Sequence, residues 1–106
     1  MAIPLSAGLL DACVLAMLKH QDLYGYALTQ NVQSVAEISE STLYPVLRRL
    51  QKEGCLSTYD RPYQGRNRRY YAITPQGRER LLQARAEWER FKEHIDALLE
   101  RSEDVE

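Results

Sequence analysis

The stretch ESTLYPVLRRLQKEG, from Glu40 to Gly54, restricts the fold more than any other part of the chain. Its apolar residues follow the i, i+3, i+4, i+7 spacing of one helical face: Leu43, Val46, Leu47 and Leu50. Because a proline is tolerated near the start of a helix, Pro45 indicates that the helix begins only a few residues earlier. Candidate N-caps are Ser39, Ser41 and Thr42, and Gly54 is suited to end the helix. The stretch therefore predicts a short, capped helix that buries one face.

The opposite face of this predicted helix is polar and basic. It carries Ser41, Pro45, Arg48 and Lys52, with Tyr44 at the edge between the two faces. A capped helix N-terminus beside outward hydroxyl and guanidinium groups suits contacts with phosphates and base edges. The candidate DNA-binding residues on this helix are Ser41, Thr42, Tyr44, Pro45, Arg48 and Lys52. The alternative is the solvated charged face of a purely structural helix.

Two further helices are predicted before this one. Ser6 to His20 is apolar on almost all sides, so we expect a helix that is buried on two sides. Leu23 to Gln33 predicts a second, short helix. Together with the stretch from Glu40, these segments give three consecutive helices.

After Gly54 the apolar period changes from that of a helix to that of a strand. Residues 55–60 and 68–74 alternate roughly by two and predict two strands around a long basic loop at 61–67. Thr74 as N-cap and Pro75 at the first helical position then start another helix.

This order of elements predicts a winged helix-turn-helix. A chain of 106 residues that is 44% hydrophobic suits one small domain with an appended element. We expect a mainly α fold of the α+β class, with a DNA-binding domain and two-stranded wing at residues 1–74. Residues 75–106 are expected to form a C-terminal dimerisation helix and an acidic tail. In this architecture the second helix of the motif enters the major groove, and the hairpin reaches the flanking backbone.

The charge of the chain is unevenly distributed. From Arg48 to Arg69 there are seven Lys or Arg against two acids, a net of +5, whereas Glu87 to Glu106 has eight acids against three bases, a net of −5. The formal net charge of −1 therefore conceals a basic centre. Since attraction to phosphate is screened over about 10 Å at ordinary salt, the local patch favours double-stranded DNA as a partner.

The last predicted helix has the pattern of a coiled-coil seam. Residues spaced alternately by three and four are Leu81, Ala84, Trp88, Phe91, Ile95 and Leu98. One chain has little left to cover this seam, so we expect a homodimer in which the first helix of the partner subunit, through Leu9 and Cys13, packs against it. The alternative is a helix that folds back on its own chain.

Three motifs resemble the PadR family of transcriptional regulators: GLLDACVLAMLKHQDLYGYAL, ESTLYPVLRRLQKEGCLS and RRYYAITPQGRERL. The resemblance extends from Leu5 to Leu99, and the single C-terminal helix is similar to the shorter subfamily. It implies a homodimeric repressor that binds an inverted-repeat operator and is released by small aromatic or phenolic effectors. It also implies a recognition helix carrying Ser41, Thr42, Tyr44, Pro45 and Arg48, and a wing carrying Gly65, Arg66 and Arg68.

Trp88 has two interpretations. A large aromatic residue at helical spacing usually anchors a core or a seam. The family resemblance implies instead a residue that stacks flat aromatic ligands at the dimer centre. In that case Phe91, Met17 and Leu10 are the expected neighbours in the ligand-binding pocket.

Other functional classes find little support in the sequence. No Ser/His/Asp or Cys/His arrangement, paired catalytic carboxylates or phosphate-binding glycine loop is present, so we do not expect an enzyme. Cys13 and Cys55 lack metal-ligand spacing, and neither a metal nor a cofactor is expected. Without a long apolar run or signal peptide, the chain is predicted to be cytoplasmic, with no membrane partner. The rival function is a winged-helix adaptor that binds protein, which an acidic helix or wing would favour.

Overall fold

The computed structural model describes residues 6–35 and 37–104. In these residues the elements follow in the order α1 Ala7–His20, β1 Leu23–Tyr24, α2 Gly25–Gln33, α3 Glu40–Lys52, β2 Leu56–Tyr63, β3 Arg66–Ile73 and α4 Pro75–Asp104. The strands form one antiparallel sheet in the order β1, β3, β2. This architecture confirms the predicted winged helix-turn-helix of the α+β class. Residues 1–5 and 105–106 of the two predicted regions lie outside the described residues.

The predicted helix ends are confirmed for α3 and α4. Ser39 is the N-cap of α3, and its hydroxyl accepts a hydrogen bond from the Thr42 amide at 3.3 Å. After the last turn of α3, Gly54 adopts a positive φ of 81°, which a residue without a side chain adopts at little cost. Thr74 caps α4, because its hydroxyl accepts from the Gly77 amide at 3.0 Å.

The core lies between α1, α2, α3 and the inner face of the sheet. Its buried apolar residues are Leu10, Val14, Leu15, Leu18, Leu28, Val32, Leu43, Leu47, Leu50, Cys55, Leu56 and Tyr71. The predicted apolar face of α3 supplies three of these leucines, while Val46 packs at the margin. α1 buries one side in this core, whereas its second side, with Leu9 and Cys13, faces α4 and is only partly buried.

The prediction that the second helix begins at Leu23 is wrong. Leu23 and Tyr24 form β1, which pairs with Tyr71 and Tyr70 of β3. Helix α2 starts only at Gly25, because Tyr24 has an extended backbone with φ −83° and ψ 162°. The sheet therefore has a third strand at the base of the two-stranded wing, the β2–β3 hairpin.

The predicted long loop at residues 61–67 is also wrong. The strands continue to Tyr63 and Arg66, which pair across a two-residue turn of Gln64 and Gly65. Both turn residues have positive φ, 50° and 78°, the conformation that matches the twist of a tight hairpin. Pro62 fits within β2 because this strand lies at the edge of the sheet.

Helix α4 has two halves with different surroundings. Leu81 packs against the core, and the half from Leu81 to Trp88 lies along α1 of the same chain. The intramolecular packing considered as an alternative is thus present for the first half. Beyond Phe91 the helix projects from the body, and its apolar residues are exposed. Within the described range, no helix is apolar over a length that would cross a bilayer.

Candidate nucleic-acid interface

The first turn of α3 carries a cluster of hydroxyl groups. The Ser39 hydroxyl oxygen lies 2.8 Å from that of Ser41 and 3.1 Å from that of Thr42. All three residues are exposed. The amides of a helix N-terminus carry partial positive charge. The cluster is therefore placed to bond phosphate oxygens or base edges.

The predicted outer face of α3 is exposed along its length, and its residues are Ser41, Thr42, Pro45, Arg48 and Lys52. Arg48 takes part in none of the ion pairs formed within residues 6–35 and 37–104. Pro45 has no amide hydrogen, so the carbonyl of Ser41 lacks its helical donor. Within the described residues, this face thus presents the Arg48 guanidinium without an ion pair and the Ser41 carbonyl without its helical donor.

Tyr44 lies at the boundary between the two faces of α3, as the helical spacing predicts. Its side chain is half-buried and packs against the core, beside the first residue of α2. A Cβ atom at Gly25 would stand only 2.9 Å from the Tyr44 hydroxyl oxygen. The ring therefore fills the space between α2 and α3, and only part of it remains available to a ligand.

The turn of the wing exposes Gly65 and Arg66 at the far end of the hairpin. Since residues on a strand alternate between faces, the pairing of Arg66 with Tyr63 and of Arg68 with Arg61 puts all four on the outer face of the sheet. The inner face at this end carries Arg69, which forms an exposed ion pair with Asp60 at 3.6 Å.

Arg68 is stacked rather than free. Its guanidinium carbon lies 3.9 Å from the ring centroid of Tyr24 and 3.5 Å from that of Tyr63. Each such contact contributes about 0.5–1 kcal/mol at an exposed site. Arg61 lies 5.5 Å from the rings of Tyr59 and Tyr70. The outer face therefore joins the tip of the wing to β1 through alternating arginines and tyrosines.

A groove between α1 and α4 surrounds Trp88. The part on one side of Trp88 has a volume of about 350 Å³ and is lined by Leu9, Ala12, Cys13 and Leu81. The part on the other side has a volume of about 370 Å³ and extends to Phe91. The rings of Trp88 and Phe91 are 6.1 Å apart. Leu10 is buried in the core and Met17 packs against it, so neither predicted neighbour of Trp88 lines this groove. Partial burial in the groove raises the pKa of the Cys13 thiol.

Residues 14–83, about two thirds of the chain, match the model of the transcriptional regulator PadR-like family. The chain belongs to this family. Its members regulate transcription and bind DNA, so this PadR-like protein is a DNA-binding transcriptional regulator and not an enzyme.

Individual relatives agree with this assignment. The PadR-like protein is 36% identical to the transcriptional regulator Rv3488 of Mycobacterium tuberculosis over 75 residues. These residues cover 70% of each chain. Its fold is similar to that of smu.1704 from Streptococcus mutans, with a TM-score of 0.89, 43% identity and 94% of both chains covered. A PadR-like transcriptional regulator from Bacillus cereus gives a TM-score of 0.80 at 30% identity, over 87% of this chain and 92% of the other.

An ionic cluster behind α3 of the PadR-like protein was not predicted from the sequence. Asp11 is 6% exposed, and its two carboxylate oxygens lie 2.5 Å from Arg49 Nη2 and 3.4 Å from Arg80 Nη2. Glu53 bonds both arginines from the solvent side. The hydrogen bond to Asp11 raises the pKa of Arg49, and the one to Arg80 lowers the pKa of Glu53.

One sequence signal could have found this cluster. Asp11 is the only acid in the apolar segment from Ser6 to His20, and a buried carboxylate requires a cationic partner. Neighbouring arginines of α3 therefore differ in role, since Arg49 is paired with Asp11 while Arg48 faces outward.

Proposed function

We propose that this PadR-like protein is a repressor that acts in the cytoplasm as a homodimer on an inverted-repeat operator. Recognition helix α3 enters the major groove with Ser41, Thr42 and Arg48, while Lys52 and Arg66 contact phosphates. The observation that carries the proposal is the outer face of α3, which is exposed, basic at Arg48 and without ion pairs in the described residues.

The homodimer is supported by the exposed α4 seam, which we define as Trp88, Phe91, Ile95 and Leu98. These side chains are 36–58% exposed although they are large and apolar. A contiguous exposed apolar stripe of this kind marks an interaction surface. We assign residues 75–106 to dimerisation, with the α1 residues Leu9 and Cys13 and the α4 residues Leu81 and Ala84 at its margin, and residues 1–74 to DNA binding.

Operator binding is tested by gel shift with promoter DNA from the gene's own locus at stated salt. We expect Arg48→Ala to weaken binding, since losing a good base contact costs about 1–3 kcal/mol. Arg78→Ala removes the same charge from an exposed position on α4, away from the groove beside Trp88, and is the matched control. Equal binding by both variants would contradict the assignment of α3, and failure of the parent to bind any promoter DNA would favour the adaptor function.

We also propose that flat aromatic or phenolic compounds act as effectors by binding beside Trp88 and Phe91. The support is the groove between α1 and α4, whose walls are mostly apolar and include the 41% exposed indole of Trp88. Because the seam sets the distance between the two α3 helices, a ligand wedged into it can disturb both half-site contacts at once.

Trp88 is the only tryptophan of the chain, so its fluorescence reports on this groove directly. We expect planar aromatic compounds to quench it saturably and to abolish the gel shift. Trp88→Phe removes the fluorescence probe, so this variant is followed by gel shift, where we expect the compounds to release operator DNA less effectively. Quenching without loss of operator binding would leave a ligand site that does not regulate. If no compound in a broad panel quenches, Trp88 is a dimer anchor only.

A further inference from the structure

The C-terminal end of recognition helix α3 is fastened to the first turn of α4. The Thr74 hydroxyl donates to the Gly54 carbonyl oxygen at 2.6 Å, and Gln76 Nε2 donates to the carbonyl oxygen of Glu53 at 3.1 Å. Gly77 packs so closely that a Cβ atom there would lie 2.2 Å from the carbonyl oxygen of Cys55. Backbone and side chains thus join the end of one helix to the start of the other.

An ionic junction, which we define as Asp11, Arg49, Glu53 and Arg80, completes this connection. Arg80 of α4 bonds the Glu53 carboxylate at the end of α3 and the buried Asp11 carboxylate of α1. Arg49 of α3 bonds the same two acids. Two acids and two bases from three elements therefore form a closed, electrically neutral arrangement.

Such a junction resists changes in the angle between its helices. Moving α4 relative to α3 would separate Arg80 from Glu53 and leave the buried Asp11 with only Arg49. An uncompensated buried charge is strongly destabilising, whereas an intact buried pair fixes geometry. α4 also carries the exposed seam. The orientation that α4 takes in a dimer therefore fixes the orientation of α3, because the two helices are bonded directly to each other.

We propose that Arg80 and Glu53 are positioning residues, which hold α3 at one angle to α4 and thereby select the spacing between the two operator half-sites. Both residues lie at the contact of α3 with α4 and bond each other there. The inference rests on the proposed function, because it requires a dimer that reads two half-sites. The outer face of α3 can recognise a single half-site, but the distance between two half-sites is selected by the ionic junction.

The test compares Arg80→Gln with Arg78→Gln. Arg78 is exposed on the same helix and takes part in none of the ion pairs of the described residues, so the control removes the same charge without touching the junction. The parent dimer first selects its operator from random DNA. Affinities are then measured for a single half-site duplex and for operators whose spacer is lengthened or shortened by single base pairs.

We expect Arg80→Gln to reduce the preference for the best spacing by about 2- to 30-fold, the usual range for substitutions that alter coupling. Its half-site affinity is expected to equal that of Arg78→Gln. A spacing preference that equals the parent's, or an equal loss on every DNA including the half-site, would overturn the inference. If the parent selects no sequence, the proposed function fails, and the inference fails with it.

Glu53→Gln is the second variant and applies if Arg80→Gln does not fold. It leaves Arg80 paired with Asp11, so the buried charge stays compensated. Folding is checked by circular dichroism, and we expect the same loss of spacing preference in a folded dimer. Retention of the full preference by a folded Glu53→Gln dimer would overturn the inference.

Discussion

Replacing Leu98 by Lys is expected to dissociate the dimer while leaving each subunit folded. Leu98 is 57% exposed, and the groove along α1 ends at Phe91. Replacing the Leu98 side chain therefore removes few contacts within the described residues of the monomer. Burying a whole leucine contributes about 1.5–3 kcal/mol, and the exposed share contributes about 0.9–1.7 kcal/mol per subunit. A symmetric dimer contains two copies, which gives about 1.7–3.4 kcal/mol, or roughly 15- to 270-fold in the dimer dissociation constant.

Sedimentation equilibrium over a dilution series measures that constant directly. Ala97→Lys is the matched control, because it adds the same charge at the neighbouring exposed position, on the helical side away from the seam. Thermal unfolding of the monomer is expected to be unchanged in both variants. If Leu98→Lys dimerises as tightly as the parent, or if the two variants weaken the dimer equally, the α4 seam is not the dimer interface.

Three further predictions concern the body of the domain, the wing and the ionic junction. Gly77→Ala, whose Cβ would lie 2.2 Å from the Cys55 carbonyl oxygen, is expected to lower stability by about 3 kcal/mol in thermal unfolding, whereas Gly8→Ala has open space and is expected to be tolerated. Arg68→Lys is expected to weaken operator binding as much as Arg68→Gln, because an ammonium group cannot stack between two rings as a guanidinium does; rescue by Lys would show a phosphate contact instead. The pKa of Glu53 is lower in the folded state, so the stability that ionised Glu53 contributes is present above its ordinary pKa of 4.5 and is lost as the pH falls through the lower folded value. In melting temperatures measured from pH 7 into the acid range, we expect Glu53→Gln to lose less stability than the parent. An equal loss of stability in both proteins would refute this role of Glu53.

Local patterns were sufficient to predict most helices and their ends. The apolar spacing of α3, the cap at Ser39 and the stop at Gly54 are all encoded within a few residues of where they act. β1 could not be predicted in this way, since two residues are too short for a period and their pairing with β3 depends on residues far along the chain. The length of the hairpin was missed because Pro62 suggests a loop unless the strand is known to lie at an edge.

In the candidate site, too, some residues could be placed from local patterns, whereas others depend on contacts with distant parts of the chain. The outer face of α3 follows from helical angles alone, so the exposure of Arg48 and Lys52 could be predicted. Tyr44 sits at the boundary of the two faces, and its partial burial depends on Gly25 of another helix. Arg68 likewise looks like any other basic residue of the wing until β1 brings Tyr24 beside it. Tertiary neighbours therefore decide how much of Tyr44 and Arg68 remains available to a ligand.

These tertiary contacts also change what the basic segment from Arg48 to Arg69 can offer to DNA. Its net of +5 counts every arginine equally, but Arg49 is paired with Asp11, Arg69 with Asp60, and Arg68 is held between two rings. Among the described residues, the charges outside these contacts include Arg48 and Lys52 on the outer face of α3 and Arg66 beside the hairpin turn. Because screening limits attraction to about 10 Å at ordinary salt, we expect phosphate to bind at these two places, whatever the total charge of the chain. Arg49, paired with Asp11, is expected to act on DNA only indirectly, by holding α3 in place.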